Sequence, residues 1–418
     1  MLKHHHPTFA NDGYELRPGV LPKSNFKLTD KPAEECQRIL DDFIEKNWRK
    51  TAREPLNMMA HPYLVPGATY NNMWDWDCYF ASCALPDDSV RYGIGSCLNL
   101  LEAPSNEAGC PSKKASVEGE YEYTQHPYPL RAQFVAQMIK RTGDDSQFKP
   151  FWNRMVEAIE WFEKYTCDSE GFFCWQTQGG IDNDPSVYGQ APGTCAGADL
   201  ASFHVREYRA MSWLARRWGE KDIYAEKAEA LAALIQKYYY DGRYKFFFNI
   251  LRPKNPIISR QEITWVTRLP FRNCTGLFPL WAKAATQEQA AVLRDVIMDE
   301  SEFLCEGSVR THSKFDSEIY CNEFSGNPSN WQGPIWGLNT AITIYGLANY
   351  GFLDDAKEIA RRIVRLYASD ILANGVMHEY YDAETSQPVI KPGFMNWNCL
   401  TYHLDYNLAH GINPMEWE

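Results

Sequence analysis

Two stretches far apart in the chain carry residue types suited to acid/base chemistry on a sugar: Gln178-Gly-Gly-Ile-Asp182-Asn-Asp-Pro-Ser186 and His378-Glu379-Tyr-Tyr-Asp-Ala-Glu-Thr-Ser386. Each sets a carboxyl group on a loop beside amide or aromatic neighbours. Two carboxyl groups facing one another across an anomeric carbon are what hydrolysis of a glycosidic bond requires, one to protonate the leaving oxygen and one to act from the opposite face. Each acid also has an ordinary reading: Asp-Asn-Asp-Pro is common turn chemistry, and Glu379 could be a solvated loop charge. The two lie 379 − 182 = 197 positions apart, so a fold that closes on itself is needed to bring them together.

Three further segments carry rings and hydrogen-bonding groups. Tyr70-Asn-Asn-Met-Trp74-Asp75-Trp76-Asp77 alternates rings with carboxylates just before a helix. Asp77 is either the cap of that helix or a carboxylate accepting from sugar hydroxyls between the walls of Trp74 and Trp76. Tyr121-Glu-Tyr-Thr-Gln125-His126-Pro-Tyr-Pro129 adds an amide and more rings, with Pro129 able to open the next helix. In Asn330-Trp331-Gln332-Gly333-Pro334-Ile335-Trp336 two Trp flank a backbone turn, which reads as a stacking wall with a hydrogen-bonding amide at Gln332.

These segments must be positioned by helices, because apolar residues recur at helical spacing and no run alternates as a strand does. Leu130, Phe134, Met138 and Ile139 share one face of a helix ending at Gly143, followed by a helix over 148–165. A helix over 200–218 stops at Gly219, and its partner carries Tyr224, Ala228, Leu231, Ile235 and Tyr238. Thr286-Gln-Glu-Gln289 is a capping box between helices over 277–285 and to about 298. Helices over 32–49, 89–102, 335–350 and 353–372 complete at least ten. Paired helices with tight turns, separated by long irregular connections, predict an all-α toroid of helical hairpins with its active site at the long-loop end. No linker interrupts residues 1–418, so one domain is expected, with 1–30 an irregular N-terminal extension.

Composition narrows the partners. Aromatic residues reach 14% of the chain, with 14 Trp and 24 Tyr, which fits either a Trp-rich helical core or a sugar cleft, where flat rings meet the C–H face of a pyranose. A net charge of -12 with scattered Lys and Arg argues against nucleic acid. No apolar run is long enough to span a membrane, and the start of the chain lacks the apolar core of a secretion signal. The 12 Cys stand without metal-like or CxxC spacing, which reads as reduced thiols in a cytoplasmic protein without metal or cofactor. His4, His5 and His6 are given no chemical role, and the Asn273-Cys-Thr275 sequon reads as chance.

Trp74-Asp-Trp-Asp77, Gly180-Ile-Asp182-Asn183-Asp-Pro185, Trp331-Gln-Gly-Pro-Ile-Trp336 and Glu379-Tyr-Tyr-Asp-Ala-Glu-Thr385, followed by Phe394-Met-Asn-Trp397, occur in that order. Together they resemble glycoside hydrolase family 63, the inverting α-glycosidases, and are more distantly similar to trehalases. The resemblance runs from about 60 to 405 and implies an (α/α)6 barrel. It implies Asp182 as general acid and Glu379 as general base. Trp74, Trp76 and Asp77 would bind the nonreducing-end sugar, with Tyr70, Gln125, Trp331 and Trp336 completing its subsite. Asp184 stands where members often carry Ser, and Gln332 where many carry Arg.

The short chain resembles the compact members, among them hydrolases of glucosylglycerate and mannosylglycerate. A glycerate carboxylate needs a cation, and Arg206 is the candidate, its ordinary reading being a helix-surface Arg paired with a carboxylate. A neutral α-glucoside is the alternative substrate. Two other classes remain: a sugar epimerase using His126, His204, His312 or His378, and a glycan-binding protein without chemistry. An Asp182 held protonated by burial or by the neighbouring Asp184 is a further expectation.

Overall fold

The computed structural model describes residues 26–115, 120–123, 125–177, 179–188, 190–252, 267–319 and 329–418. Most of the expected N-terminal extension, Gln178, Cys321 and parts of the stretches 118–128, 240–275 and 301–334 lie outside the described residues.

Helices with two kinds of face make two concentric layers. Asp75–Ala84 is buried at every position, and Gly337–Asn349 is buried over all but its last turn. A helix apolar all round belongs in an interior. Ala33–Asn47 instead buries one stripe, Cys36, Gln37, Leu40 and Ile44, and Trp152–Tyr165 buries Met155, Ala158, Ile159 and Phe162. One-sided stripes of this kind belong to an outer layer.

The inner layer closes. Asp75–Ala84 packs on Arg131–Thr142, which packs on Ala198–Trp218, then Phe278–Trp281, then Gly337–Asn349. The 3₁₀ segment Asn396–Thr401 completes the circuit by touching both Gly337–Asn349 and Asp75–Ala84. Among the described residues, the inner segments alternate in sequence with outer ones: Val90–Glu102, Trp152–Tyr165, Tyr224–Leu234, Gln287–Ile297, Leu353–Asn374 and Ala33–Asn47. The result is an (α/α)6 barrel. Inner neighbours are also tied by polar groups: the Glu207 carboxylate on Ala198–Trp218 accepts from the backbone N–H of Ala132 at 2.8 Å and Gln133 at 3.1 Å. It fills the role of an N-cap for Arg131–Thr142 from another helix.

The expected stops hold. Gly143 and Gly219 take the left-handed conformation that ends a helix, with φ 73 and φ 76, and Thr286 with Gln289 forms the capping box that opens Gln287–Ile297. Two helices are shorter than their periodicity suggests. The stretch expected as helix over 277–285 is helical only over Phe278–Trp281, because Lys283 turns left-handed at φ 51. The helix expected from 335 begins at Gly337, since Ile335–Trp336 is taken up as a strand.

Strands of two residues stitch the long connections together, and one ladder brings distant motifs into register: Ile335 pairs with Tyr381 and Trp336 with Tyr380, antiparallel. A second joins Met73–Trp74 to Lys114–Ala115 and that to Tyr121–Glu122. Among the described residues no helix is long and apolar enough to cross a membrane.

Candidate active site

Nine residues singled out in the sequence converge on one cavity at the long-loop end of the ring. Tyr70, Trp74, Trp76, Asp77, Gln125, Asp182, Trp331, Trp336 and Glu379 all line it, together with Pro66, Lys113, Gly179, Gly180, Ser329, Phe394 and Trp397. It is compact, with about 120 Å³ open to a water-sized sphere. A wider depression, about 680 Å³ on the same measure, is lined elsewhere by Arg310, Arg362 and Arg365 beside Glu300, Glu358 and Glu384. Its charges are paired with one another and no Trp among the described residues lines it, so the smaller, ring-lined cavity is the better site.

The helix that supplies Asp77 begins at Asp75, and this separates the two carboxylates by role. Asp75 accepts from the backbone N–H of Trp76 at 2.7 Å and of Tyr128 at 3.0 Å, fixing the start of the helix against the next loop. Asp77 therefore is not the cap; it lies in the first turn and lines the cavity. The Asn396 side-chain amide donates to it. Burial, and then the charges of Asp75 and Glu379, push the Asp77 carboxyl well above its ordinary range.

Rings build the walls. Trp76 stacks on Tyr128 with centroids 4.6 Å apart and planes 10° apart, and Trp331 stacks on Trp336 at 4.0 Å and 11°. Trp397 meets Trp76 edge-on at 5.4 Å. The Gly179-Gly180 pair threads between such rings: a Cβ on Gly180 would fall 2.1 Å from a Trp76 ring carbon, and one on Gly179 2.5 Å from Trp175. Only glycine lets the backbone before Asp182 come so close.

Asn183 fixes that loop from the other side. It sits left-handed at φ 54, a conformation Asn tolerates better than most side chains. Its side chain accepts from Trp331 N–H at 2.8 Å and donates to Asn330 at 2.8 Å. Gln332 donates its amide to the Asn183 carbonyl at 2.6 Å. Gln332 thus clamps the Asp182 loop to the Trp331 loop and does not line the cavity, correcting its expected place among substrate contacts. Asp184 points away as well, accepting from Ser186 and Asn273, and burial raises its carboxyl to about 6. It anchors the loop rather than facing the substrate.

Glu379 stands just before the strand Tyr380–Tyr381 that pairs with Ile335–Trp336, so one ladder sets both the second acid and a Trp wall. The Tyr70 hydroxyl donates to its carboxylate at 3.3 Å. Burial foremost, and the charge of Asp182, push Glu379 up to about 8, while Lys391 and the Tyr70 bond pull it down. The expectation placed the held proton on Asp182; the structure puts a strong upward push on Glu379. The charge of Asp182 is one of the causes that raise Glu379, so each acid is felt at the other's position.

Arg206 is not in the site, which corrects its candidacy as a substrate cation. Its guanidinium lies 4.2 Å from the Trp281 ring centroid and 4.7 Å from that of Trp417, and it bonds to Glu416 at 2.5 Å and to the Met415 carbonyl at 2.5 Å. Of the ordinary reading, the pairing with a carboxylate holds, but the side chain is buried rather than on the helix surface.

The histidines needed by an epimerase are also elsewhere. His126, His204, His312 and His378 do not line the cavity. Burial pushes His126 down to about 3 and His312 to about 4; His204 is stacked 3.6 Å from Phe173, and His378 is bonded to the buried Asp370 at 2.7 Å. Asn273 of the sequon is buried and donates to Asp184, so it is no acceptor for a glycan in the folded chain.

Sequence reasoning missed Lys113, which nothing in Ser-Lys-Lys marks as special. It left Phe394 and Trp397 in a motif without a role. Among the described residues no group of His, Cys, Asp and Glu could hold a metal ion.

A closed ring of helices with two loop-borne acids inside a cage of Trp defines a glycoside hydrolase domain of the (α/α)6 type. Residues 70–398 match the mannosylglycerate hydrolase MGH1-like glycoside hydrolase domain, and the chain belongs to that family. Its fold resembles the GH63 mannosylglycerate hydrolase from Thermus thermophilus, solved in complex with glucose: TM-score 0.63, 15% identity, covering 89% of this chain and 99% of that one. It also resembles neutral trehalase from Saccharomyces cerevisiae, TM-score 0.62, 16% identity, covering 92% and 83% of the two chains. A probable trehalase of Eremothecium gossypii is 30% identical over 160 residues, 37% of this chain and 20% of that protein. The match thus spans one fifth of that relative's length.

Proposed function

We propose that the protein is an inverting α-glycosidase acting on a small α-glucoside or α-mannoside, with glucosylglycerate and mannosylglycerate among the candidates. The observation that carries this reading is the placement of Asp182 and Glu379 in one Trp-walled cavity. Asp182 gives its proton to the leaving oxygen; Glu379 takes a proton from a water that attacks the anomeric carbon from the opposite face. The sugar lies between, its C–H faces on the rings and its hydroxyls on Asp77 and Gln125. An inverting pair stands roughly 6.5–9.5 Å apart to admit the water. Because hydrolysis needs Glu379 ionised, water and sugar hydroxyls entering the cavity must supply the hydrogen bonds that favour its charged form.

With Arg206 removed from the site, the cations near enough to support an anionic aglycone are Lys113, which lines the cavity, and Lys391, whose charge acts on Glu379 and whose Nζ lies 5.7 Å from the Tyr70 ring centroid. A neutral α-glucoside remains the second reading, favoured by the likeness to trehalases. The proposal extends to a single catalytic domain, supported by the one continuous hydrophobic cluster, and to a cytoplasmic setting, supported by the eleven described cysteines being free.

The deciding experiment is a panel of α-glucosides and α-mannosides, including both glycerate conjugates and trehalose, with the released anomer followed by NMR at early times. A β-anomer from an α-linkage, lost in Asp182→Asn, is expected. From any substrate but trehalose, whose leaving glucose is itself α, an early α-anomer alone would refute inversion; from trehalose equal α and β are expected, and no turnover across the panel would refute the activity.

A further inference from the structure

Lys113 is the charged residue of the cavity that the mechanism above leaves unused. Its side chain is buried to 1% exposure and lines the cavity, yet among the described residues its Nζ has no hydrogen-bond partner. The nearest ring is Tyr128, 5.4 Å from Nζ to centroid. The charged groups around it are Asp75, Asp182, Asp77 and Glu122. Asp75 has both carboxylate oxygens engaged by backbone N–H groups, and Asp77 accepts from Asn396.

The backbone is not free to move the ammonium elsewhere. Lys113 N–H donates to the Glu122 carbonyl at 3.1 Å, and its carbonyl accepts from Asp75 N–H at 2.9 Å. It adjoins the ladder pairing Lys114 with Trp74. A buried ammonium whose donors meet no protein acceptor is costly to the folded state unless something entering the cavity accepts from it. The neighbouring wall offers Asp77, an acceptor for sugar hydroxyls, and Asp182, an acid that must be aimed at the glycosidic oxygen.

We propose that Lys113 donates to one hydroxyl of the sugar in the cavity, setting which ring stereochemistry the subsite accepts and holding that sugar in register with Asp182. This rests on the glycosidase reading above. A hydroxyl is both donor and acceptor, so it bridges Lys113 and a carboxylate that do not touch each other. Lys113 is a binding and specificity residue here, with no proton transferred.

The test is binding of D-glucose, D-mannose and their monodeoxy derivatives, read by quenching of the cavity's Trp fluorescence, in the wild type and in Lys113→Met. Loss of a charged hydrogen bond is expected to weaken hexose binding by about 10- to 100-fold. One monodeoxy sugar should bind the wild type as weakly as the parent sugar binds Lys113→Met, and should bind both proteins alike, since the two losses remove the same bond. Equal binding of the parent sugars by both proteins would overturn the role, as would an identical loss for every deoxy sugar. Lys113→Gln, which keeps a donor, replaces Lys113→Met if the latter does not fold. The wild-type series stands alone too: with no single hydroxyl whose removal costs about 10-fold or more, the role falls. A wild type that hydrolyses α-glycosides with a Lys113→Met that binds normally sinks only Lys113; a wild type that binds neither hexose nor hydrolyses any α-glycoside sinks the glycosidase reading itself.

Discussion

Glu379→Gln should abolish turnover and at the same time make the protein more stable, by an amount that depends on pH. Burial lifts the Glu379 carboxyl from an ordinary 4.5 to about 8. In the unfolded chain it ionises near its ordinary value, in the folded chain near pH 8. Its contribution to stability is therefore fully present below pH 4.5 and is lost as pH rises through about 8. At roughly 1.4 kcal/mol for each pH unit, the ceiling of the loss is about 5 kcal/mol. Water entering an open cavity weakens the penalty, so about half that is the realistic magnitude. Gln keeps the shape and never ionises, so it escapes the cost. Urea denaturation at several pH values between 4 and 9 reads the difference directly. The variant should exceed the wild type by about 2–3 kcal/mol at pH 9, with the gap closing towards pH 4. No gap at pH 9, a gap independent of pH, or near-normal turnover would each refute the reasoning. The result is an instance of function opposing stability at a buried site.

Three other outcomes follow from the same geometry. Since Glu379 must be ionised to act as base, kcat/KM should fall as pH drops below about 8; Lys391→Met, which removes a cation opposing the burial, should move that limb upward, and a limb that stays in place would refute the coupling. Gly180→Ala would drive a Cβ to 2.1 Å from Trp76, so kcat/KM should drop at least about 10-fold, with a stability cost of about 1–3 kcal/mol measured by thermal denaturation. Arg206→Met removes a buried cation from beside Glu416, which is partly exposed and keeps Lys283 as a partner, and should cost about 1–3 kcal/mol while leaving KM and kcat of the folded enzyme unchanged; a rise in KM alone would return Arg206 to the substrate.

Much of the architecture is legible in the chain because helix signals are local. Apolar spacing, the Thr286 capping box and the glycines after 142 and 218 act within a few residues, and they remain in the structure where they were expected. The places where spacing misled are places where distant chain intervenes: Ile335 and Trp336 have helix-compatible neighbours but pair with Tyr381 and Tyr380. The ring-lined site is legible for a similar reason, since rings and acids clustered in short motifs announce themselves even when their partners lie far off.

What the sequence determined by itself is the set of parts: paired helices, long loops, and the motifs around Trp74, Asp182, Trp331 and Glu379. Only the tertiary structure decided which of those parts face the cavity. Gln332 and Asp184 sit within the motifs yet turn outward to brace the loops; Arg206 lies between Trp281 and Trp417; Lys113, unmarked in the chain, is brought inside. The reason is physical. Whether a polar side chain faces a substrate or a protein partner depends on which groups surround it and on how far it is removed from water, and both are set by contacts between residues hundreds of positions apart.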